Sequence, residues 1–340
     1  MAAFVNGISY YLPIHELKNE ELSLEFPEWS VDKITKKTGI YSRHIAAADE
    51  CVSDMALNAL NKLILEYGIS RSSIDYLILC TQSPDYQLPT TACIVQDRAG
   101  LSKNCGAIDF NLGCSGFVYG VGLAKGLIES GQAKNIVLIT AETYTKIIHP
   151  KDKANRTLFG DAASATLITS EPNYDYHTAK ILQLAYGTDG SGYDKLIVKN
   201  SGNKREDKKS FDFFDENEDF TSNEDYLFMN GREIFNFTAF EIPPFINKTL
   251  EKNEVEIDDI SKFIFHQANA YMLEFLRKRC KIPEDKFYIS IKDVGNTVSS
   301  TIPIAYNRLI NEGGLQKGDK FLLCGFGVGL SMGAVILRTE

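Results

Sequence analysis

Short runs of apolar residues alternate along this chain with longer amphipathic stretches. In the longer stretches, apolar side chains recur at three- and four-residue spacing, which is typical of helices with one buried face. These predicted helices span residues 51–67, 115–130, 234–251, 268–281 and 302–312. The short runs predict buried strands over residues 76–80, 136–141, 163–169, 263–265, 321–324 and 334–337. Because helices cover such strands in a sheet, the pattern predicts an α/β fold.

A weak internal repeat divides the chain into two similar halves. The repeated segments, which follow the same order in both halves, are 75–80 with 261–266, 113–114 with 295–296, and 163–168 with 332–337. A chain of 340 residues is also long enough for about two domains of ordinary size. We therefore predict an N-terminal half over residues 1–172 and a C-terminal half over residues 173–340, with ligands bound between them.

Composition and charge narrow the range of functions. Hydrophobic residues make up 44% of the chain, which is enough for a buried core, but no apolar run is long enough for a membrane helix. The net charge of −9 provides no basic field for nucleic acid. Because the N-terminal residues lack a signal-peptide pattern and the seven cysteines are odd in number, we expect a cytoplasmic protein with reduced thiols. Without a C-x-x-C pair, we expect no structural zinc site.

Residues 199–225 interrupt the alternating pattern. They are dense in Lys, Asp, Glu, Asn and Ser, and four Phe are embedded among them. This composition favours a solvated insertion loop. The embedded aromatic side chains leave two further roles open, which are docking on a partner and covering the entrance of an active site.

Cys114 has the setting of a nucleophile. It lies in the sequence G-C-S-G-F, at the turn between a predicted strand and the predicted helix 115–130. The amides of the first helical turn and the helix dipole favour negative charge at such a position, so we expect a stabilised thiolate. A buried structural thiol is the alternative reading of the same pattern.

Two further polar residues stand at predicted turns of the second half. His266 ends the apolar run 263–265, and Asn296 precedes the predicted helix 302–312. Alone, each residue is also typical of a structural role, as a buried imidazole or as a turn residue. The glycine-rich stretch 325–333 leads into a strand and lacks the dinucleotide fingerprint, so we predict an oxyanion-binding loop rather than a nicotinamide site.

Taken together, these motifs resemble the β-ketoacyl-acyl carrier protein synthase III family. The chain carries G-C-S-G-F at Cys114, H-Q-A-N at His266, G-N-T at Asn296 and a closing G-F-G-x-G loop, in that order. Further similarity lies in T-G-I-x-x-R-H-I at 38–45, F-G-D at 159–161, M-x-G at 229–231 and G-D at 318–319. The resemblance implies a thiolase-like fold, with two duplicated halves in αβαβα layers, and a homodimer.

The resemblance also implies a two-stage condensation. Cys114 is expected to accept an acyl group from a CoA or acyl carrier protein thioester, with the backbone amides of Cys114 and Val328 as the oxyanion hole. Malonyl-acyl carrier protein is then expected to lose carbon dioxide while His266 and Asn296 stabilise the enolate. The carbanion would attack acyl-Cys114 to form a 3-oxoacyl thioester for fatty acid or specialised acyl-chain synthesis. No cofactor is expected beyond the thioester substrates.

The sequence departs from the family pattern in the entrance tunnel. Lys33 aligns with a Trp that stacks on the CoA adenine, and Lys37 aligns with an Arg, whereas Trp29 lies four residues before Lys33. Leu88 aligns where a residue of one subunit limits the acyl pocket of its partner. The full set of expected substrate-binding residues is Lys33, Lys37, Leu88, Arg156, Arg232, Phe235, Asn269, Tyr271 and Phe326.

Two other functions stay open at this point. An acyltransferase of the same fold would pass the acyl group from Cys114 to a hydroxyl or an amine. A non-catalytic partner would pair with an active homologue and only shape its pocket. The presence of both His266 and Asn296 favours the condensing enzyme over these alternatives.

Overall fold

The computed structural model describes residues 1–208 and 210–340, so Lys209 of the predicted insertion lies outside the described residues. The strands are β1 (Phe4–Tyr11), β2 (His15–Lys18), β3 (Ser42–Ile45), β4 (Tyr76–Cys80), β5 (Gly106–Phe110), β6 (Asn135–Glu142), β7 (Ala162–Thr169), β8 (Ala179–Thr188), β9 (Leu196–Val198), β10 (Phe213–Phe214), β11 (Phe220–Ser222), β12 (Leu227–Met229), β13 (Ile260–Phe265), β14 (Phe287–Tyr288), β15 (Lys320–Gly327) and β16 (Ser331–Thr339). The α-helices are α1 (Asn19–Glu25), α2 (Val31–Thr38), α3 (Val52–Glu66), α4 (Thr91–Arg98), α5 (Gly116–Glu129), α6 (Lys153–Arg156), α7 (Gly231–Lys252), α8 (Ala270–Arg279) and α9 (Thr301–Asn311).

Ten of the described strands form one sheet with the order β14-β13-β15-β16-β8-β1-β7-β6-β4-β5. Its two halves have the same pairing pattern, because β4 is parallel to β5 and β6 just as β13 is parallel to β14 and β15. The halves meet where β1 pairs with β8, over only two register positions. The repeated segments of the sequence therefore lie at equivalent places, on β4 and β13, on β7 and β16, and at the turns before α5 and α9. The predicted domain division at 172 and 173 falls between β7 and β8.

Three clusters of buried side chains define the layers. The central cluster surrounds α5 and α9 and includes side chains from strands of both halves of the sheet. One outer cluster lies between α3, α4 and the N-terminal half of the sheet, and the other lies between α7, α8 and the C-terminal half. This arrangement is the predicted αβαβα layering.

The central helices are apolar around most of their circumference. Val118, Val121 and Ile128 of α5 are fully buried, and so are Ile302 and Ala305 of α9. A helix with this composition has to lie in a core, because exposing it on either side would leave apolar surface in water. Both helices begin at the turns that carry candidate catalytic residues, so the central layer fixes the position of those turns.

The predicted strands and helices are confirmed, with ends that move by a few residues. The prediction for the glycine-rich stretch 325–333 was wrong in extent. β15 continues to Gly327 and β16 begins at Ser331, because the two strands pair up to the Gly327–Ser331 position. The loop between them is therefore Val328–Leu330 alone. Within the described residues, every helix is too short or too polar to cross a lipid bilayer.

Candidate active site

A cavity of about 260 Å³ lies between the two halves of the fold. Cys114 from the first half and His266 and Asn296 from the second half all line it. The other lining residues include Trp29, Lys37, Thr38, Thr157, Leu158, Phe159, Leu196, Met229, Ile234, Asn269, Met272, Phe326 and Gly327. The structure thus brings together the three residues that the sequence predicted as catalytic, although they are far apart in the chain.

Cys114 lies at the turn between β5 and α5 and is buried. The backbone amides of Cys114 and Val328 both donate hydrogen bonds to its Sγ atom. Gly327 makes this arrangement possible, because a Cβ atom at that position would lie 2.9 Å from Sγ. Two amides that converge beside this sulfur are suited to bind the oxyanion that forms on a carbonyl oxygen when the sulfur attacks its carbon, and they are the pair that the sequence resemblance implied.

The expectation of a stabilised thiolate at Cys114 was wrong. Burial is the largest influence on this thiol and, together with the nearby Glu142, raises its pKa to about 12. The two amide hydrogen bonds act in the opposite direction but do not compensate for burial. The Cys114 side chain is therefore a thiol at neutral pH, and a role as nucleophile would require a group that accepts its proton.

His266 stands at the end of β13 and faces the cavity. Its Nδ1 atom lies 2.8 Å from Oγ1 of Thr301, and the Thr301 hydroxyl donates to the carbonyl of Val298 at 3.0 Å. Because that hydroxyl proton is already used, Nδ1 carries the proton and donates it to Thr301. Nε2 has no hydrogen-bond partner in residues 1–208 and 210–340. Burial lowers the pKa of His266 to about 3, so the imidazole is neutral and Nε2 is free to accept a proton.

Asn296 is held by backbone contacts with the first half of the chain. Its amide donates to the carbonyl of Leu158 at 2.9 Å, and its carbonyl accepts from Gly160 at 3.0 Å. Gly295 has a φ of +67°, and a Cβ atom there would meet the Leu158 carbonyl at 2.9 Å, so glycine is required at this turn. The Oδ1 atom of Asn296 accepts from the amide of Val298 at 3.0 Å, which fixes the side-chain amide so that Nδ2 remains as a donor.

Glu142 is a buried carboxyl group near this site that the sequence analysis missed. It accepts hydrogen bonds from the amide of Gln82 and the hydroxyls of Ser83 and Ser299, at 3.0, 3.0 and 2.9 Å. Burial raises its pKa to about 8. Glu142 thereby joins the end of β6 to the turn between Asn296 and α9. An acidic residue directly after the apolar run 136–141 was the available signal in the sequence.

Trp29 lies at the mouth of the cavity, although the family pattern has its tryptophan at position 33. Trp29 lines the cavity, and the Nζ atoms of Lys37 and Lys33 lie 4.3 and 5.4 Å from the centre of its ring. Burial lowers the pKa of Lys37, with contributions from Lys33 and Lys153. Lys37 therefore places a positive charge over the ring of Trp29 at the cavity mouth, and it has no ion-pair partner among the described residues.

Of the other predicted substrate-binding residues, Lys37, Asn269 and Phe326 line the cavity. Asn269 also caps α8 by accepting a hydrogen bond from the amide of Met272 at 2.8 Å, and the Phe326 ring lies edge-on to His266. The residues that do not line the cavity in this chain are Lys33, Leu88, Arg156, Arg232, Phe235 and Tyr271.

Local contacts account for three of these placements. Arg156 is ion-paired with Glu25 at the surface. Phe235 packs on Phe275, and the ring of Tyr271, which is 66% exposed, stacks 6.1 Å from Phe235. Lys33 and Arg232 are exposed, and Leu88 lies 81% exposed in the loop before α4.

The insertion 199–225 packs against the segment that borders the cavity mouth. Its flanking strands β9 and β12 pair with each other and contribute Leu196 and Met229 to the cavity wall. Asp219 pairs with Lys153 at 2.6 Å, and Phe220 stacks on His149 with ring centres 4.3 Å apart. Most of the insertion is exposed, as expected for a solvated loop, but these contacts attach it beside the entrance.

Comparisons with known proteins agree with this geometry. Residues 108–190 match the family model described as 3-oxoacyl-[acyl-carrier-protein] synthase III, and residues 250–339 match the model of its C-terminal region. Two β-ketoacyl-[acyl-carrier-protein] synthases III from Clostridium perfringens strains are 40% and 39% identical, over 98% and 99% of this chain and the same shares of their own lengths. A crystal structure of a 3-oxoacyl-(acyl-carrier-protein) synthase III superimposes with a TM-score of 0.94 at 42% identity, covering 99% of this chain and all of the other.

These relatives confirm the predicted thiolase-like fold and the predicted condensing activity, and they do not favour an acyltransferase that uses a hydroxyl or amine acceptor. With 40% identity over nearly its whole length to such enzymes, the chain belongs to the β-ketoacyl-acyl carrier protein synthase III family of acyl-transferring condensing enzymes in fatty acid biosynthesis.

Proposed function

We propose that this enzyme carries out its condensation through Cys114, His266 and Asn296, with the backbone amides of Cys114 and Val328 as the oxyanion hole. The observation that carries this proposal is the convergence of these groups on one cavity between the two halves of the fold. A nucleophile, a proton acceptor and two sets of hydrogen-bond donors are the groups that a thioester condensation needs.

In the first stage, the Cys114 thiol attacks the carbonyl carbon of an acyl thioester. Nε2 of His266 accepts the thiol proton, and the two amides bind the oxyanion of the tetrahedral intermediate. When the bond to the leaving sulfur breaks, the proton passes from His266 to that sulfur. The products are acyl-Cys114 and a free thiol, and His266 is neutral again.

In the second stage, malonyl-acyl carrier protein binds with its thioester oxygen near His266 and Asn296. The Nδ2 amide of Asn296 donates a hydrogen bond to that oxygen as carbon dioxide leaves. Nε2 of His266, which is unprotonated at rest, takes up one proton from solvent as negative charge develops beside it and donates a second hydrogen bond to the same oxygen, which stabilises the enolate. The enolate carbon attacks acyl-Cys114 to form the 3-oxoacyl thioester. The Cys114 sulfur leaves with the proton from His266, so the reaction consumes one proton in total.

Loss of carbon dioxide generates the carbon nucleophile in this scheme, so we propose that the enzyme uses thioester substrates and no cofactor. The acyl donor is carried by CoA or by acyl carrier protein, and the malonyl group by acyl carrier protein. The cationic mouth at Lys37 supports this choice, because both carriers bring phosphate groups to the entrance.

We also propose a homodimer in the cytoplasm. The last strand of the sheet, β5, has an unpaired edge in the single chain, and Ile108 on this strand is exposed. An exposed strand edge with apolar side chains is a pairing surface for a second copy. Leu88 is also exposed, as a residue that reaches a partner would be. The cysteines, all of them free in the structure, support a reducing compartment.

Intact-protein mass spectrometry tests the proposed roles. Wild type, Cys114→Ala and Cys324→Ala are exposed to acyl-CoA or acyl-carrier-protein donors and then to malonyl-acyl carrier protein. Cys324 is a matched control, because it is a buried thiol that does not line the cavity. We expect an acyl adduct on wild type and on Cys324→Ala only, discharged as a 3-oxoacyl product.

Two outcomes would contradict the proposal. An adduct that malonyl-acyl carrier protein leaves intact but a hydroxyl or amine acceptor removes would indicate the other acyltransferase chemistry. A wild-type enzyme that no donor acylates would indicate a non-catalytic partner.

A further inference from the structure

The two possible carriers of the acyl donor differ in what they present at the cavity mouth. Acyl carrier protein and CoA both hold the acyl group on a phosphopantetheine arm. In the carrier protein this arm ends in one phosphodiester with a single negative charge. CoA adds a nucleotide, with further phosphate groups and an adenine ring. A site for that nucleotide needs several free cations and an open aromatic or apolar surface at the mouth.

Two cations beside the mouth are already neutralised by carboxylates of this chain. They lie on α6, which borders the cavity. Arg156 is ion-paired with Glu25. Lys153 pairs with Glu28 at 2.8 Å and with Asp219 at 2.6 Å. Because Asp219 belongs to the insertion 199–225, this last pair also holds the insertion against the mouth. Neither cation is therefore free to bind a phosphate group of a ligand.

Lys37 is the cation that remains inside the mouth. It lines the cavity and has no ion-pair partner in residues 1–208 and 210–340. Lys33 does not line the cavity, and its Nζ atom donates to the carbonyl of Glu28 at 3.2 Å. The hydrogen bond from Lys153 holds the pKa of the Glu28 carboxyl below its ordinary value, and the charge of Lys33 acts in the same direction.

The balance of charge at the mouth suits one phosphodiester. Lysines 33, 37 and 153 surround the ring of Trp29, and the carboxylates of Glu28 and Asp219 face them. These groups together leave one positive charge in excess. A ligand with a single negative charge neutralises it, whereas the further phosphate groups of CoA have no matching cation in this group.

The aromatic surface at the mouth is already covered. Trp29 is only 8% exposed, and its ring packs in a cluster with Leu22 and Ile34. The ammonium groups of the three lysines lie between 4.3 and 6.0 Å from the centre of this ring. The nearby ring of Phe26 has the guanidinium of Arg156 at 5.5 Å from its centre. An adenine ring would have to displace these groups in order to stack on either side chain.

From these contacts we infer that the entrance recognises the donor through the single phosphodiester of its phosphopantetheine arm, and that acyl carrier protein rather than CoA carries the acyl group. This inference rests on the proposed acylation of Cys114. The arm that delivers the malonyl group has the same phosphodiester, so one entrance serves both stages. In the first stage the acyl carbon forms its bond to Cys114, the arm sulfur leaves, and the thiol proton ends on that sulfur.

The test compares three donors with the same acyl group. They are acyl-acyl carrier protein, acyl-CoA and the methyl phosphodiester of acyl-phosphopantetheine, which has neither nucleotide nor protein. The specificity constant for Cys114 acylation is measured for each by intact-protein mass spectrometry. We expect the last two donors to agree within about threefold, because the nucleotide adds no contact. The carrier protein should exceed both by at least about tenfold, because it adds a protein interface around the mouth.

Two variants test the cause at the mouth. Glu28→Gln combined with Asp219→Asn frees Lys153 from both carboxylates. The larger positive excess should then raise the specificity constant of acyl-CoA, relative to that of the methyl phosphodiester, by about threefold to tenfold. Glu129→Gln is the matched control, because it frees Lys125 of α5 from an ion pair and neither residue lines the cavity. It should leave the ratio of the two donors unchanged.

The outcomes separate this inference from the proposed function. Acyl-CoA that reacts as fast as acyl-acyl carrier protein, or at least tenfold faster than the methyl phosphodiester, would overturn the inference. A double variant with the wild-type ratio of these two small donors would do the same. In each case acylation of Cys114 would still stand. If none of the three donors forms an adduct on Cys114, the proposed function itself is contradicted.

Discussion

Nδ1 of His266 lies 2.8 Å from Oγ1 of Thr301, and this contact leaves Nε2 as the ring nitrogen without a partner among the described residues. Since Thr301 accepts from Nδ1, Nε2 is the atom available for proton transfer with Cys114. We predict that Thr301→Val lowers the condensation rate about tenfold, because the imidazole loses the partner that orients it. Thr301→Ser should restore most of the rate, since it keeps the hydroxyl.

The pH profile separates this positioning role from a merely structural one. Valine at position 301 should change the pH dependence of the rate because the tautomer is no longer fixed, and serine should return it to that of wild type. A valine variant with unaltered rate and pH profile would show that the contact does not position the imidazole.

A second prediction concerns Asn296. The Asn296→Asp variant keeps an oxygen that accepts the hydrogen bond from Val298 but loses the Nδ2 donor. Removing one donor to a developing oxyanion costs about 100-fold to 1,000-fold in rate. We therefore expect condensation to fall by that amount, whereas acylation of Cys114, which does not use this donor, stays near the wild-type rate. An equal loss in both stages would argue against a role confined to the enolate.

Lys37 and Lys36 offer a matched comparison at the entrance. Lys37 lies at the cavity mouth and has no ion-pair partner in the part of the chain that the structure describes, whereas Lys36 is exposed and paired with Asp32 on the same helix. Lys37→Ala should raise the KM for the acyl donor about tenfold through loss of a charged contact to phosphate, with little change in kcat. Lys36→Ala should leave both constants unchanged. A similar KM for both variants would remove Lys37 from the entrance site.

Glu142 should make the stability of the protein depend on pH. Burial raises its pKa from 4.5 to about 8, so the folded state binds a proton that the unfolded state releases between these values. This contribution is fully present below pH 4.5 and is lost as the pH rises to about 8. We expect the melting temperature of wild type to fall by a few degrees over this interval relative to Glu142→Gln, whose amide does not titrate. Parallel curves for the two proteins would contradict the shifted pKa.

The proposed dimer surface is testable at Ile108. Placing a charge on the exposed edge strand, with Ile108→Arg, should convert the dimer to a monomer in sedimentation velocity. Leu65→Arg is the control, since Leu65 is 83% exposed on the outer helix α3 and its substitution should leave the dimer intact. A wild type that sediments as a monomer at micromolar concentration would contradict the proposed assembly.

The sequence allowed much of the fold to be predicted, because burial of a helix face or a strand imposes a short-range period. The apolar runs at 76–80 and 263–265 and the helical spacing over 115–130 each correspond to an observed element. The strand β1, with its glycine and tyrosines, was missed. It becomes buried through pairing with β7 and β8, which follow more than 150 residues later in the chain.

The catalytic candidates were predictable for a related reason. Each of the three residues Cys114, His266 and Asn296 stands where a predicted strand ends or a predicted helix begins. A polar residue at such a position can be recognised from the sequence alone. Trp29 and Glu142 were not predictable as parts of the site. The sequence showed only that Trp29 lies four residues before the position where the family pattern has a tryptophan. Glu142 contacts Ser299, which is remote in sequence.

The sequence by itself thus determined the α/β pattern, the order of the motifs and the residue types available for condensation. Only the tertiary structure decided the protonation state of Cys114 and the tautomer of His266. Periodicity along the chain reports which side chains are buried. The charge of a buried group and the space beside it depend on the distances to residues that folding brings together from distant segments.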